Sequence, residues 1–350
     1  MATVEKRGAD GTRVRERLES YLVRSGLKRR SLAVVPLTGD ASDRRYFRVI
    51  VRDGPSVVVA LHQETFEYDA LPFVRVASLL RAMPLPVPAI IDHADDLALL
   101  VLQDLGDVTL QAYVGAVQPS EHTGLYRQAV SFIEILQRRG RDLQSPAYPP
   151  FQIAFDTEKF FWELEFFTKH FIEGYRGVAI GPDVRAALLA EFHDLAAMLA
   201  AEPRVLCHRD YHSRNLMLSG GELYVIDFQD ARMGPDTYDL VSLLRDSYVD
   251  MPESDFDELV SHFVALKREG RPSVATPEWE AAFPTRFEMM ALQRNLKALG
   301  TFGYQTTARS NPVYIQYVPR TLWYVATALD RQPRFARLHG LLAGLIEELA

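Results

Sequence analysis

The chain has 350 residues, 48% of them hydrophobic and 24% charged, which is typical of a globular protein with one large domain or two modest lobes. Its net charge of -7 argues against a broad nucleic-acid-binding surface, although a local group of arginines could still bind an anionic substrate. Cys207 is the only cysteine, so an internal disulfide is excluded and a reducing compartment is favoured.

The N-terminal residues have no apolar core of the kind found in secretory signals. The most apolar stretch, 97–102, is much shorter than the about 20 residues that a bilayer span requires. These features predict a cytoplasmic protein that does not enter a membrane. No pattern indicates an obligate protein partner.

Short β-like runs dominate the first hundred residues. Asp53-Gly54, between two β-branched runs, favours a β-hairpin. The helix before Pro84 should end there, because the residue before a proline avoids helical dihedrals. The predicted elements are, in chain order, a helix at 12–25, β-like runs at 31–36, 46–51 and 56–61, a helix at 73–83 and a buried strand at 97–102.

The rest of the chain is mostly helical in pattern, interrupted by one compact β-like segment at 205–229. We therefore predict an α+β fold with a small β-rich N-lobe over 1–105 and a larger helical C-lobe over 106–350. A ligand cleft is expected between such lobes. Long helical patterns cover 126–138, 157–173, 182–201 and 286–302.

The most informative stretch begins at His208-Arg-Asp210 and ends at Asp227-Phe228. Two short apolar runs joined by Gly-Gly predict a hairpin, with Asn215 just before its first strand and Asp227 just after its second. Paired strands lie about 4.8 Å apart, so both residues should meet at the open end. Asp210 lies in the loop that leads to the same end.

Two carboxylates and an amide at one point suit phosphoryl transfer. Mg²⁺ takes oxygen ligands, typically one or two protein carboxylates plus substrate phosphates, and a separate carboxylate orients the attacking hydroxyl. We assign Asn215 and Asp227 to the metal and Asp210 to the hydroxyl. An isolated aspartate at a strand end is more often a turn or cap residue, but the ordered set is far more specific.

The H-R-D-x-x-x-x-N pattern and the Asp-Phe after the hairpin resemble the protein-kinase-like superfamily. Gln229 replaces the glycine of D-F-G, no A-P-E follows, and the segment to Asp239 is expected to enter a helix directly. The chain therefore resembles the aminoglycoside phosphotransferase and choline kinase branch, which phosphorylates small molecules with ATP.

Further segments resemble bacterial N-acetylmuramate/N-acetylglucosamine kinases. In that family, ATP phosphorylates the anomeric hydroxyl of the amino sugar during peptidoglycan recycling. The resemblance covers the chain from about residue 15 onward. It is carried by Gly39 to Arg48, Gln103-Asp-Leu-Gly106, His208 to Asn215, the Asp227 segment and Leu292 to Gly300.

The resemblance also implies an ATP site in the N-lobe. The loop from Thr38 to Arg45 would cover the phosphates, with small residues exposing backbone N–H groups and two arginines adding charge. The residues implied in nucleotide binding are Gly39, Ser42, Arg44 and Arg45 in this loop, and Gln103 and Leu105 in a hinge that contacts adenine. A plain turn and a buried strand would give the same patterns.

The third strand departs from the protein-kinase pattern. It reads Ser56-Val-Val-Val-Ala-Leu61 and lacks the phosphate-binding lysine, and no lysine occurs between Lys28 and Lys159. An arginine could replace it, phosphate binding could depend on metal and backbone, or catalysis could be weak. Arginine is not equivalent, because it presents a planar fork and not a point charge.

The helix at 286–302 carries the candidate substrate residues. One face is apolar, and a neighbouring face carries Arg294 and Lys297, which are either solvated or bind a carboxylate such as the lactyl group of N-acetylmuramate. The aromatic helix at 160–167 is either core or a wall for a sugar ring. Asp239 is interpreted as a helix cap and loop organiser.

Three hypotheses follow. The first is an active amino-sugar kinase that uses ATP and Mg²⁺. The second is a kinase for another small alcohol or amine, such as an aminoglycoside or choline. The third is a weakly active nucleotide-binding regulator, which the missing lysine suggests.

Overall fold

The computed structural model describes residues 2–37 and 44–350. Its N-terminal part contains a five-stranded sheet in the order β1-β2-β3-β5-β4, with every pair of neighbours antiparallel. The predicted hairpin at Asp53-Gly54 is confirmed, and Asp53 has a φ of 54°. The strands are β1 Ser31–Leu37, β2 Arg45–Val51, β3 Val57–Leu61, β4 Ile90–Ala94 and β5 Leu99–Gln103.

Helices cover both faces of this sheet. Strand β3 alternates, so that Val57, Val59 and Leu61 pack against helix α1 (Ala2–Arg24) while Ala60 packs in the main core with helix α2 (Pro72–Ala82). The buried strand β3 therefore packs against a helix that precedes the sheet on one face and against a helix that leads towards the rest of the chain on the other.

The remainder is predominantly helical. The predicted helix at 157–173 divides, because the α-helix ends at Phe167 and a π-helix follows over Thr168–Tyr175. The helices are α3 Leu110–Val114, α4 Pro119–Asp142, α5 Thr157–Phe167, α6 Pro182–Ala200, α7 Tyr238–Leu244, α8 Glu253–Gly270, α9 Pro277–Ala308, α10 Val318–Asp330 and α11 Ala336–Ala343. Within the described residues, no helix is both long and apolar enough to span a bilayer.

Helix α9 is the longest helix of the C-terminal part and passes through its core. Its predicted apolar face is confirmed, since Met289, Leu292, Leu296 and Leu299 are all buried. Two glycines allow the backbones to approach closely. A Cβ on Gly300 would lie 2.8 Å from Phe167 Cα, and a Cβ on Gly303 would collide with the backbone carbonyl of His170. The contact fixes α9 against α5 and the π-helix.

Two small sheets lie between α6 and α7. The predicted hairpin is confirmed as β7 (Leu216–Ser219) and β8 (Glu222–Val225), with Leu216 opposite Val225. The prediction that the segment from Gln229 to Asp239 runs into a helix is confirmed, since α7 begins at Tyr238. The segment also contains a strand that was not predicted. This short strand, β9 (Arg232–Pro235), comes first and pairs with β6 (Arg204–Cys207).

Candidate active site

The open end of the β7–β8 hairpin joins the three residues predicted for catalysis. The Ile226 N–H donates to the Asn215 carbonyl at 3.0 Å, so the residue before Asp227 pairs with Asn215. The Asn215 Nδ2 donates to the Asp210 carbonyl at 2.9 Å. The structure therefore brings Asp210, Asn215 and the start of the Asp227 segment together, as the hairpin pattern predicted.

Asp227 is presented to solvent by an unusual backbone conformation. Its φ is 62°, in the left-handed region that aspartate tolerates better than most residues. The next residue, Phe228, is fully buried and packs 4.8 Å from the ring of Phe73 on α2. Asp227 itself is exposed, and its Oδ1 accepts a 2.8 Å hydrogen bond from Gln229. Among the described residues, Gln229 is the one hydrogen-bond donor to this carboxylate, so the second oxygen is available to a ligand.

The oxygens of Asn215 and Asp227 fit a magnesium ion. Asn215 uses its amide nitrogen on the Asp210 carbonyl, which leaves its side-chain oxygen as an acceptor. Mg²⁺ prefers this donor type and completes its shell with water and phosphate oxygens. The described residues include no group of three or more His, Cys, Asp or Glu that could bind a metal by themselves. A cation here would therefore be shared with a phosphate-bearing ligand.

Asp210 is surrounded by positive charge. Lys297 Nζ lies 3.5 Å from its Oδ1 and Arg209 Nε lies 3.7 Å from its Oδ2. Burial raises the pKa of Asp210, but the charges of Lys297, Arg209 and Arg294 outweigh it, and the pKa falls well below its usual range. The carboxylate is thus ionised at neutral pH, and 29% of the side chain remains exposed.

A buried carboxylate fixes the loop that precedes Asp210. Asp239 accepts from the backbone N–H of His208 at 2.6 Å and of Arg209 at 3.0 Å. Arg209 has a φ of 87°, so these bonds stabilise a backbone conformation that is unfavourable for arginine. The predicted role of Asp239 as a loop organiser is confirmed. Its predicted role as a helix cap is wrong, because α7 already begins at Tyr238.

A second buried carboxylate, Asp246, was not predicted. Its Oδ2 accepts from both the backbone N–H and the hydroxyl of Ser213, at 2.9 and 2.5 Å. The sequence offers only an aspartate near the end of a helix, and its partner lies 33 residues earlier. The loop around Asp210 is therefore held at both ends by carboxylates from the segment 239–246.

Replacing Asp239 by Ala should lower both stability and turnover. Two buried backbone N–H groups would lose their acceptor, and we expect a loss of about 3 kcal/mol in the free energy of unfolding. Turnover should fall as well, because Asp210 follows the released segment directly. Urea unfolding measures the first effect. Asp257→Ala, at an exposed position of α8, is the control, and an equal loss in the two variants would contradict the assignment.

A cavity of about 180 Å³ opens beside Asp210. It lies between the loop that carries Asp210, the segment after α7 and helix α9. Arg294 and Lys297 both line it. Tyr248 and Phe302 give it aromatic walls, whereas Phe160 and Phe167 of the aromatic helix are buried in the core. Residues of the predicted polar face of α9 therefore line the same cavity as Asp210.

The two α9 cations make different contacts. Arg294 donates to the Arg209 carbonyl at 3.1 Å and to the Ser242 hydroxyl at 2.6 Å, and its guanidinium lies 4.2 Å from the Tyr238 ring. Arg294 thus connects α9 to the catalytic loop. Lys297 contacts the carboxylate of Asp210 itself.

The predicted hinge is organised by Asp104, which sequence reasoning did not assign. Arg48 Nε of β2 lies 2.7 Å from Asp104 Oδ2, and the Ser56 hydroxyl donates to the same oxygen at 2.5 Å. The side chain of Gln103 accepts from the Ala89 N–H at 3.2 Å, and Leu105 is buried. The side chains of Gln103 and Asp104 are therefore engaged within the protein, and the backbone N–H of Gln103 also donates to the Ala89 carbonyl at 2.8 Å.

The predicted phosphate loop is described in part. Gly39 and Ser42 lie outside the described residues. Arg44 and Arg45 line a groove with Leu18 of α1 and Phe47 of β2.

Comparisons with known proteins agree with this geometry. The chain matches the profile of the phosphotransferase enzyme family over residues 33–275. It is 32% identical over 312 residues to an N-acetylmuramate/N-acetylglucosamine kinase of Pseudomonas aeruginosa, covering 89% of this chain and 88% of the relative. A protein of the same name from Neisseria meningitidis serogroup B is 33% identical over 315 residues, covering 89% and 90%.

A solved structure shows the same fold. The GDP complex of aminoglycoside 2'-phosphotransferase-IIIa superposes with a TM-score of 0.59 at 13% identity, over 90% of this chain and 98% of that one. The fold is the kinase-like arrangement predicted from the sequence, with an N-terminal sheet and a mostly helical remainder. The chain therefore belongs to the phosphotransferase enzyme family and is an ATP-dependent kinase.

Proposed function

We propose that this kinase transfers the γ-phosphoryl group of ATP to the anomeric hydroxyl of N-acetylmuramate or N-acetylglucosamine, giving the sugar 1-phosphate for peptidoglycan recycling. The observation that carries the proposal is the cavity beside Asp210, whose wall includes two α9 cations. Relatives at 32 and 33% identity, matched along most of their length, have names that include both sugars.

Each residue of the site has a distinct task in this proposal. Asp210 is ionised and faces the cavity, so it orients the acceptor hydroxyl and accepts its proton. Asn215 and Asp227 would bind Mg²⁺, which neutralises phosphate charge when present. Residues 1–105 would bind the nucleotide through the hinge backbone and the loop with Gly39, Ser42, Arg44 and Arg45. Residues 106–350 would bind the acceptor.

The charge of the cavity separates this function from its nearest alternative. Aminoglycosides and choline are cationic. Three cationic side chains line the cavity against two carboxylates, so a positively charged ligand is disfavoured there; the cations are Arg245, Arg294 and Lys297, and the carboxylates are Asp210 and Asp246. An uncharged or anionic amino sugar meets no such penalty. A regulator without turnover is disfavoured, because Asp210, Asn215 and Asp227 are all present and brought together.

The test is ATP consumption with Mg²⁺ against N-acetylmuramate, N-acetylglucosamine, choline and an aminoglycoside. We expect turnover only with the amino sugars, and a product phosphate that is acid-labile but stable to alkali, as an anomeric phosphate should be. Phosphorus–proton coupling in the product identifies the modified carbon. Turnover with choline or the aminoglycoside alone would contradict the proposal.

A further inference from the structure

The ammonium group of Lys297 lies at the reacting centre. Its Nζ is 3.5 Å from Asp210 Oδ1, and 20% of the side chain is exposed. Within the described part of the chain, Asp210 is the one hydrogen-bonding partner of this ammonium. An ammonium has three N–H donors, so two can still contact a bound ligand. Lys297 is therefore available to a ligand that also reaches Asp210.

Arg294 cannot supply the same charge from its present position. Its two terminal nitrogens donate to the Arg209 carbonyl and to the Ser242 hydroxyl. Its guanidinium also packs on the ring of Tyr238. These contacts hold the Arg294 guanidinium against the loop that carries Asp210. Lys297 lies almost one turn later on α9, and its ammonium contacts the carboxylate of Asp210 directly.

The sheet offers no lysine for the transferring phosphoryl group. Strand β3 has no charged residue, as the sequence already showed. On β2, Arg48 is engaged by Asp104 and by Asp107, with 2.7 and 2.8 Å contacts. Positive charge beside Asp210 comes instead from the C-terminal part, and Lys297 supplies it by direct contact.

Phosphoryl transfer creates a specific need for such a charge. The acceptor O–H bond breaks and its proton passes to Asp210, the acceptor oxygen bonds to the γ-phosphorus, and the bond from that phosphorus to the β–γ bridging oxygen breaks, releasing ADP. Before the proton moves, an anionic carboxylate and an anionic phosphoryl group must lie close together. A cation that touches both lowers this repulsion and stabilises charge on the equatorial oxygens.

We propose that Lys297 is a catalytic residue that contacts Asp210 and the transferring phosphoryl group, and that it acts equally on every acceptor. The inference rests on the proposed function, in which Asp210 receives the acceptor hydroxyl. It replaces the sequence hypothesis that Lys297 binds an acceptor carboxylate. An oxygen bound at that ammonium lies beside Asp210, which is where the transferring phosphoryl group must meet the acceptor hydroxyl.

N-Acetylmuramate and N-acetylglucosamine provide the test, because they differ by the lactyl carboxylate. In Lys297→Met we expect kcat to fall about 100-fold with both sugars. The KM of each sugar and the Kd of ATP should change less than about threefold, since the contact matters most in the transition state. Lys297→Gln should lose as much as Lys297→Met, and Lys297→Arg should retain more activity. Lys28→Met, at an exposed site in the N-terminal part, should match the wild type.

The outcomes separate the role of Lys297 from the choice of substrate. A loss confined to N-acetylmuramate, or expressed in KM, would overturn the proposal in favour of carboxylate binding. An unchanged kcat would overturn it outright. If the wild type phosphorylates neither sugar, the proposed function fails. The role of Lys297 is then tested by comparing the slow rate of ATP hydrolysis in the wild type and in Lys297→Met, measured in parallel. A loss of about 100-fold there supports its catalytic role, and an equal rate overturns it.

Discussion

Replacing Asp210 by Asn is expected to lower kcat by about 1,000-fold or more, within the range that a positioned proton acceptor contributes. Asparagine keeps the size of the side chain but cannot accept the proton of the acceptor hydroxyl. It also removes the negative charge that Lys297 and Arg209 contact at 3.5 and 3.7 Å. Steady-state turnover measures the loss, and calorimetry should show a Kd for ATP within about threefold of the wild type.

The matched control is Asp230→Asn. Asp230 is exposed and pairs with Arg209 at 2.9 Å, so its replacement frees the same arginine without touching the reacting centre. An exposed ion pair contributes up to about 1 kcal/mol, and we expect at most about a fivefold loss of kcat. Comparable losses in the two variants would show that Asp210 acts only through Arg209.

Replacing Asp227 by Asn should weaken the binding of ATP in the presence of Mg²⁺ by about 100-fold, since even indirect supports of a metal ligand contribute 10- to 100-fold. Asparagine tolerates the left-handed backbone at φ 62° and can still accept from Gln229. The change is therefore confined to one negative charge at the proposed metal site. Titrations of ATP with Mg²⁺ and with a chelator should differ for the wild type and agree for the variant.

The Asp210→Asn variant is the control for this measurement. It should keep the dependence of ATP binding on Mg²⁺, because Asp210 is assigned to the acceptor and not to the metal. If Asp227→Asn retained the full Mg²⁺ dependence, the assignment of Asp227 to the metal would be lost. If Asp210→Asn lost it, the two carboxylates would have exchanged roles.

The parts of the site that could be predicted have local signals. The β7–β8 hairpin follows from two apolar runs around Gly-Gly, and the hairpin geometry then places Asn215 next to the residue before Asp227. The polar face of α9 follows from helical periodicity, which put Arg294 and Lys297 together before their surroundings were known. Both predictions depend on residues only a few positions apart.

The parts that could not be predicted depend on distant partners. Strand β9 contains Gly234 and Pro235, which disfavour strands, and it exists because β6 pairs with it. Strand β4 is mostly exposed and lacks an apolar alternation. The role of Asp246 depends on its contact with Ser213, and the role of Asp104 depends on its contact with Arg48, which lies 56 positions earlier. None of these pairings leaves a local pattern.

The fixed position of α9 limits how the acceptor range can be changed. Gly300 and Gly303 allow the helix to lie directly against the backbones of Phe167 and His170. Arg294 hydrogen-bonds the same helix to the loop of Asp210. Displacing the helix to admit a bulkier acceptor would also displace the loop that carries Asp210, the proposed proton acceptor. We therefore expect broader substrate use in engineered variants to come from shortening side chains that line the cavity, and Thr301 and Phe302 are two such positions on α9.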